Sequence, residues 1–288
     1  NRVLNGITFI AAIVFGYLLI KSVKKEIEAK EREKLQHEKF EKLSEELVIA
    51  NEGQIALMHS INHQAKGKFG NNMIVFDELL TNPDYNSLSD SVKKLLTQGL
   101  KDSKAGVEYV QNILKSTSAQ SGTLPYDMKP MDLKNPAIEL CGREKVIAEK
   151  QGLTFETEIN DGNYNIIGDA TQLIEAFRNL IENAIKYNNP NGSIFVTLSQ
   201  KDSKILFMVK DTGRGIPKED HKRIYKPGGM GANSMKYNIN ASGYGLAFVK
   251  PVIEKHQGKI WYETEVGKGT TFFVELPMNS NIASEAQK

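Results

Sequence analysis

A chain of 288 residues, 40% of them hydrophobic, is long enough to hold a membrane-spanning segment and about two folded units. Its formal net charge of +2 argues neither for nor against a nucleic-acid partner, but no basic cluster is interleaved with aromatic residues, so we expect none. Cys141 is the only cysteine, which excludes a disulfide framework and zinc sites built from several cysteines.

The first predicted element is a membrane-spanning helix within residues 1–21. Residues 3–20 carry no charge, and crossing a bilayer takes about 20 mainly apolar residues. A signal peptide and a buried core helix are the alternatives, although no small-residue cleavage site follows. Lysines at positions 21, 24 and 25 follow the segment, against one arginine before it. The positive-inside rule therefore predicts a cell-membrane protein in which everything after residue 20 is cytoplasmic.

Residues 22–51 predict a charged signalling helix. The segment is dense in Lys and Glu of alternating sign and contains no Gly or Pro, which suits a solvated helix with i,i+4 ion pairs. Its apolar residues recur imperfectly, so a parallel coiled coil is one interpretation and a free-standing helix is the other. A helix this extended gains stability from a partner, which favours a dimer.

Residues 52–119 predict a helical hairpin. Apolar residues recur at helical spacing from position 55 to 79, and the pattern breaks at Asn82 and Pro83. It resumes over residues 89–118, with N-cap chemistry at 87–90. One hairpin cannot bury its own apolar stripes. Pairing two hairpins into a four-helix bundle would bury them, so we infer a homodimer.

Two histidines, His59 and His63, lie one turn apart on the first helix of this hairpin. They could be structural, they could hold zinc, or one could be a phosphoacceptor. Zinc requires a further ligand, and the sequence nearby offers no cysteine and little acid. A neutral imidazole near its pKa has a ring nitrogen able to attack a phosphoryl group.

After a linker at residues 120–128, residues 129–278 predict an α+β sandwich, because helices and strands are mixed with antiparallel pairs. Residues 228–242 form a pattern-free stretch rich in Gly, Asn and Ser, which we interpret as a lid, and residues 279–288 as a tail. The predicted helices cover residues 136–151, 169–187 and 246–256, and the predicted strands cover 153–159, 164–167, 193–199, 205–210, 259–263 and 270–276.

Polar residues share one face of the helix that contains residues 179–187. Asn179, Asn183, Lys186 and Tyr187 are spaced by three, four or seven, and amides within a helix need partners. Such a face could be solvated, or it could serve a Mg–nucleotide site. In the second case Asn183 offers an oxygen ligand to the metal and Lys186 a charge to phosphate.

Two glycine-bearing turns follow that helix. Asp211 stands at the end of a buried strand, where its carboxylate can accept a hydrogen bond from a base, and Gly213 and Gly215 allow the backbone close to a ligand. The second turn, with Gly243 and Gly245, precedes Leu246 and the next helix. A helix N-terminus of this kind can seat a phosphate.

Together these stretches, NLIENAIKY, DTGRGIP and SGYGLAFVK, resemble the Bergerat-type ATP-binding domain of sensor histidine kinases from about residue 129 to 277. The resemblance implies that ATP and Mg are bound, with Asn183 as the magnesium ligand and Asp211 on the adenine amine. It further assigns Asn179 and Lys186 to the phosphates, Tyr187 beside the nucleotide, Thr270 near the base, and Gly213, Gly215, Gly243, Gly245 and Leu246 to the pocket walls and lid.

The run HQAKGKF at residues 63–69 resembles the histidine box of the same kinases. It favours His63 over His59 as the phosphoacceptor. Gln64 stands where the family usually has an acidic residue, and an amide cannot act as a base at neutral pH. Gly67 and Lys68 also depart from the pattern, as does Tyr225, where a Phe is usual. We therefore expect a slow autokinase with little phosphatase activity.

The sequence thus predicts a membrane-anchored sensor histidine kinase. The resemblance implies a homodimer that phosphorylates itself on His63 and passes the group to an aspartate of a response-regulator receiver domain. Two alternatives stay open: an ATP-binding pseudokinase scaffold, which Gln64 suggests, and another ATPase of the same nucleotide fold.

Overall fold

The computed structural model describes residues 2–229 and 243–278, without the side chains of residues 2–15, 17–19 and 59. The chain divides into two compact units, Asn1–Leu57 and Met58–Lys288. Residues of the predicted lid beyond 229 and the predicted tail lie outside the described residues.

A single helix, α1, begins at Arg2 and ends at Thr81. Its charged portion in the first unit carries i,i+4 ion pairs, such as Lys30 with Glu26 at 2.9 Å between Nζ and Oε1, as the alternating charges predict. Among the described residues, no helical segment is long and apolar enough to cross a membrane. The predicted membrane segment falls almost entirely on residues whose side chains lie outside the description, so it stays a prediction.

In the second unit, α1 and the helix α2 (Asp90–Gln120) form the predicted hairpin. Between them Asn82 accepts a hydrogen bond from the Asp84 N–H at 2.8 Å, at the start of a short 3₁₀ turn. Two aromatic rings of α1 pack directly against glycines of α2. A Cβ added to Gly106 would lie 2.8 Å from the Phe69 ring, and one added to Gly99 would lie 2.4 Å from the Phe76 ring, so neither position has room for a side chain. Phe76 follows Phe69 by seven residues on α1, and Gly99 precedes Gly106 by seven residues on α2, so the two helices are antiparallel and in register.

The remainder of the second unit confirms the predicted α+β architecture. Three helices pack on one face of a five-stranded sheet of order β2-β4-β5-β7-β6, in which only the β2–β4 pair is parallel. A separate antiparallel pair joins β1 to β3. The elements are β1 (Lys129–Asp132), α3 (Lys134–Lys150), β2 (Thr154–Ile159), β3 (Asn165–Gly168), α4 (Ala170–Lys186), β4 (Ser193–Lys201), β5 (Lys204–Asp211), α5 (Gly245–Lys255), β6 (Lys259–Glu265) and β7 (Gly269–Pro277).

The core lies between the helices and the sheet. Along β4 and β5 buried residues alternate with more exposed ones, so one face of the sheet is apolar and covered. On α4 the fully buried residues include Leu173, Phe177 and Leu180, and the Phe177 ring stacks on Phe207 of β5 at 3.9 Å between centroids. Because this apolar stripe faces the sheet, the opposite polar stripe of α4 is directed away from the core.

Asp169 joins three parts of this domain. Its Oδ1 accepts the Gln172 N–H at 3.0 Å and so caps the N-terminus of α4. Its Oδ2 accepts the Asp127 N–H of the linker at 2.9 Å. Its own N–H donates to Nε2 of His256, the C-cap residue of α5, at 2.9 Å. Linker, α4 and α5 therefore meet at one residue.

Candidate nucleotide-binding site

A pocket in the second unit is bordered by α4, the end of β5 with its following turn, the start of α5, and β7. Of the eleven residues that the sequence analysis assigns to nucleotide binding, ten line it. The structure therefore brings together segments that are far apart in the sequence. These ten are Asn179, Asn183, Lys186, Tyr187, Asp211, Gly215, Gly243, Gly245, Leu246 and Thr270.

The polar stripe of α4 forms one wall. Asn179 is held there because its Nδ2 donates to the Glu175 carbonyl oxygen at 2.8 Å. Lys186 is held by Glu182, whose Oε2 lies 2.8 Å from the lysine Nζ. Glu182 also lines the pocket, and its second oxygen pairs with Arg178 at 2.8 Å. The lysine is thus positioned at the pocket by a network of ion pairs on its own helix.

Asp211 is a buried carboxylate that lines the pocket, as Asp220 also is. Its Oδ1 accepts the N–H groups of Gly213, at 2.8 Å, and Thr270, at 3.1 Å. Gly213, the one predicted residue that does not line the pocket, therefore acts through its backbone. Burial raises the pKa of Asp211 to about 6, so the group is ionised at neutral pH. Since both bonds use Oδ1, Oδ2 is the acceptor that a donor on a ligand can reach.

Two glycines are required by the pocket's shape. Gly215 has φ +70°, and a Cβ there would lie 2.3 Å from the Glu265 carbonyl oxygen. A Cβ on Gly245 would lie 2.6 Å from Oδ1 of Asn179. The first turn of α5 can therefore approach α4 only because position 245 has no side chain.

Other residues of the pocket were not predicted. Ile216, Pro217, Ile224 and Phe272 add apolar lining, and Asp220, Glu182 and Asn112 add polar atoms, whereas Gly229 belongs to the predicted lid. A signal for Glu182 was present in its i,i+4 spacing to Lys186. Asn112 lies on α2 of the hairpin, and no local pattern distinguishes it.

Tyr225, the altered position, does not line the pocket, whereas its neighbour Ile224 does. Its ring lies 6.3 Å from that of Tyr262, with Nζ of Lys250 at 5.6 Å from the ring centroid. Within the described residues its buried hydroxyl has no hydrogen-bond partner, and burial raises its pKa. Tyrosine thus preserves the apolar packing at the cost of an unpaired hydroxyl.

The predicted phosphoacceptor lies outside the pocket. His63 and Gln64 are exposed on α1, and the Phe69–Gly106 pairing puts His63 level with Asn112 of α2. The side chain of His59 is not among those described. In the described part of the chain, no three His, Cys, Asp or Glu residues are grouped to hold a metal.

Comparisons with known proteins show what the chain is similar to. Residues 168–280 match the family model described as histidine kinase-, DNA gyrase B-, and HSP90-like ATPase. The sensor-like histidine kinase SenX3 of Mycobacterium tuberculosis is 27% identical over 218 residues, covering 76% of this chain and 52% of that protein. The signal transduction histidine-protein kinase BaeS of Escherichia coli is 25% identical over 206 residues, covering 69% of this chain and 43% of that protein.

The chain thus spans about half the length of the curated relatives it matches. Among solved structures, full-length ShkA in complex with AMPPNP superposes with a TM-score of 0.64 at 18% identity, covering 77% of this chain and 45% of that one. This likeness supports the fold. Residues 168–280 thus carry an ATPase domain of the histidine kinase-, DNA gyrase B-, and HSP90-like family, and the chain is similar in sequence to proteins named as histidine kinases.

Proposed function

We propose that the chain is a membrane-anchored sensor histidine kinase that phosphorylates itself on His63 and passes the phosphoryl group to a response-regulator receiver domain. The observation that carries this proposal is the convergence of ten predicted nucleotide-binding residues in one pocket. The relatives named as histidine kinases support the reaction class.

The residues of the pocket fit ATP as the substrate. Oδ2 of Asp211 would accept the adenine amine, because Oδ1 is already occupied by two backbone N–H groups. Lys186, Asn179 and the N-terminus of α5 would bind the phosphates. Asn183 would hold Mg²⁺, which neutralises charge on the triphosphate.

In the proposed reaction a ring nitrogen of His63 bonds to the γ-phosphorus as the bond from that phosphorus to the bridging oxygen breaks. ADP leaves, and the imidazole loses its N–H proton. Gln64 cannot accept that proton, so water must take it and we expect slow transfer. Gln64→Glu should raise the rate of phosphorylation, and an unchanged or lower rate would contradict this role of the position.

Exposed apolar side chains support a homodimer. On the hairpin, Ile74 is 59% exposed, Val75 52% and Leu95 70%. Exposed apolar side chains of this size are common where a surface binds a partner, and a second hairpin is the partner that we propose. Light scattering of the purified chain should give the mass of a dimer.

Labelled ATP tests the proposal against its two alternatives. We expect acid-labile, alkali-stable label on the chain, lost in His63→Gln and retained in His37→Gln, which changes an exposed histidine of the same helix. A chain that binds ATP without acquiring label would be the pseudokinase scaffold. A chain that hydrolyses ATP equally well with and without His63 would be another ATPase of this fold.

A further inference from the structure

The nucleotide pocket is not built from the ATP-binding domain alone, because Asn112 of hairpin helix α2 lines it. We propose that the Asn112 amide contacts the terminal phosphates of bound ATP, so that the site is complete only when the hairpin is docked. This inference rests on the proposed function and adds a binding residue to it.

The face of α2 that carries Asn112 makes specific contacts with the ATP-binding domain. The Tyr109 ring meets the Tyr244 ring edge-on at 6.1 Å between centroids. Lys115 Nζ lies 3.0 Å from Glu175 Oε1 on α4. One turn and a half beyond Lys115, the side chain of Gln120 donates to backbone carbonyl oxygens of the same domain. Positions 109, 112 and 115 are spaced by three, so all three lie on one face of α2.

These flanking contacts place Asn112 at one end of the pocket. Tyr244 stands between Gly243 and Gly245, at the start of α5. Glu175 lies one turn before Asn179 on α4, and Asn179 Oδ1 is the atom that a Cβ on Gly245 would meet at 2.6 Å. Asn112 lies midway between the two contacts along α2. It therefore faces the end formed by α4 and the first turn of α5, the end proposed for phosphate.

The chemistry of Asn112 suits that position. Its amide offers two N–H donors to phosphate oxygens without adding charge. Since His63 lies level with Asn112 in the hairpin, a contact here would hold the transferable phosphate near the height of its acceptor on α1.

A contact of this kind links docking to the number of phosphates. If ATP binds the docked arrangement better because of Asn112, docking must favour ATP by the same factor. ADP and adenosine, which lack the terminal phosphate, should favour docking less. The hairpin would thereby dock more tightly on a site that holds ATP than on a site that holds ADP.

Titrations of the whole chain with the β,γ-imido analogue of ATP, with ADP and with adenosine test this proposal. Asn112→Asp puts a carboxylate against the phosphates, and we expect the analogue to bind about tenfold more weakly while adenosine changes less than about twofold. Asn112→Ala should weaken the analogue by about three- to tenfold. Gln111→Glu makes the same amide-to-acid change one residue away, off the pocket lining, and should leave all three affinities unchanged.

Lys115→Met removes the ion pair to α4 without touching the pocket and should also weaken the analogue more than adenosine. Retained adenosine binding shows that each variant is folded. Equal effects of Asn112→Asp and Gln111→Glu, or an equal loss for adenosine and the analogue, would overturn the role of Asn112 alone. A wild-type chain that binds none of the three ligands would overturn the proposed function together with this inference.

Discussion

Replacing Asp211 by asparagine should stabilise the fold while weakening the nucleotide site. The asparagine Oδ1 can accept the same two N–H groups, from Gly213 and Thr270, that the carboxylate Oδ1 accepts now. The substitution therefore keeps both hydrogen bonds inside the protein and removes a buried negative charge. On the pocket side, the substitution replaces the Oδ2 acceptor of aspartate by the Nδ2 donor of asparagine.

The magnitude follows from the pKa. Burial raises the pKa of Asp211 from 3.8 to about 6, and a tenfold change in an ionisation constant corresponds to about 1.36 kcal/mol. Between these two pKa values the folded state binds more protons than the unfolded state, so stability falls as pH rises through this window and stays lower above it. Asparagine does not ionise, so the stability of the variant does not fall in this pH window. We expect a gain in free energy of unfolding of up to about 3 kcal/mol at pH 7.5 and about half as much at pH 5.

The effect on the ligand has the opposite sign. A hydrogen bond to a charged group contributes about 1.5–3 kcal/mol, so loss of the acceptor should weaken ATP binding at least about tenfold. Trp261, the only tryptophan, lies on β6 of the same sheet and reports unfolding in urea. Asp202→Asn, at an exposed turn with φ +55° that asparagine tolerates, is the matched control.

Two results would refute this reasoning. If Asp211→Asn were no more stable than Asp202→Asn at pH 7.5, the buried charge would not be the destabilising group. If its affinity for ATP matched the wild type in isothermal titration, the carboxylate would not be the acceptor for the base.

Three further substitutions test the site and its support. Gly245→Ala should displace Asn179 and weaken ATP binding about tenfold in a titration, whereas Gly142→Ala, which meets nothing within 4 Å, should leave binding unchanged; equal affinities for the two variants would contradict this. Phe177→Ala should lower the free energy of unfolding by about 3–5 kcal/mol in urea, because it removes a fully buried ring stacked on β5, and a loss below about 1 kcal/mol would argue against a tight core. Tyr225→Phe should raise the melting temperature by a few degrees, since it removes a buried hydroxyl with no partner among the described residues; a lower melting temperature would mean that the hydroxyl is bonded.

Much of the ATP-binding domain could be predicted because its signals are local. The apolar stripe of α4 and the alternation along β4 and β5 each follow from a period within one element. The glycine turns could be recognised because only glycine fits them. β1 was missed, since four largely exposed residues, Lys129–Asp132, are too few and too polar to show a strand pattern.

Residues contributed from a distance could not be predicted. Asn112 lines the pocket because α2 docks on the ATP-binding domain. A tertiary contact of this kind produces no repeating pattern of residues in the hairpin sequence. Glu182 has the spacing of an ordinary surface ion pair with Lys186, and only the fold shows that Glu182 itself lines the pocket. Roles for His63 and Gln64 stay predictions, because their neighbourhood in the fold is open helix surface.

The three bonds of Asp169 have a mechanical consequence. Because this residue holds the linker by Asp127, the start of α4 by Gln172 and the end of α5 by His256, tension applied to the linker reaches both helices that border the cleft through a single side chain and its amide. A rotation transmitted along α2 could therefore widen or narrow the cleft without unfolding either helix. Asp169→Ala would release the linker and the start of α4, which bind the side chain, and would keep the bond to His256, which the backbone N–H donates.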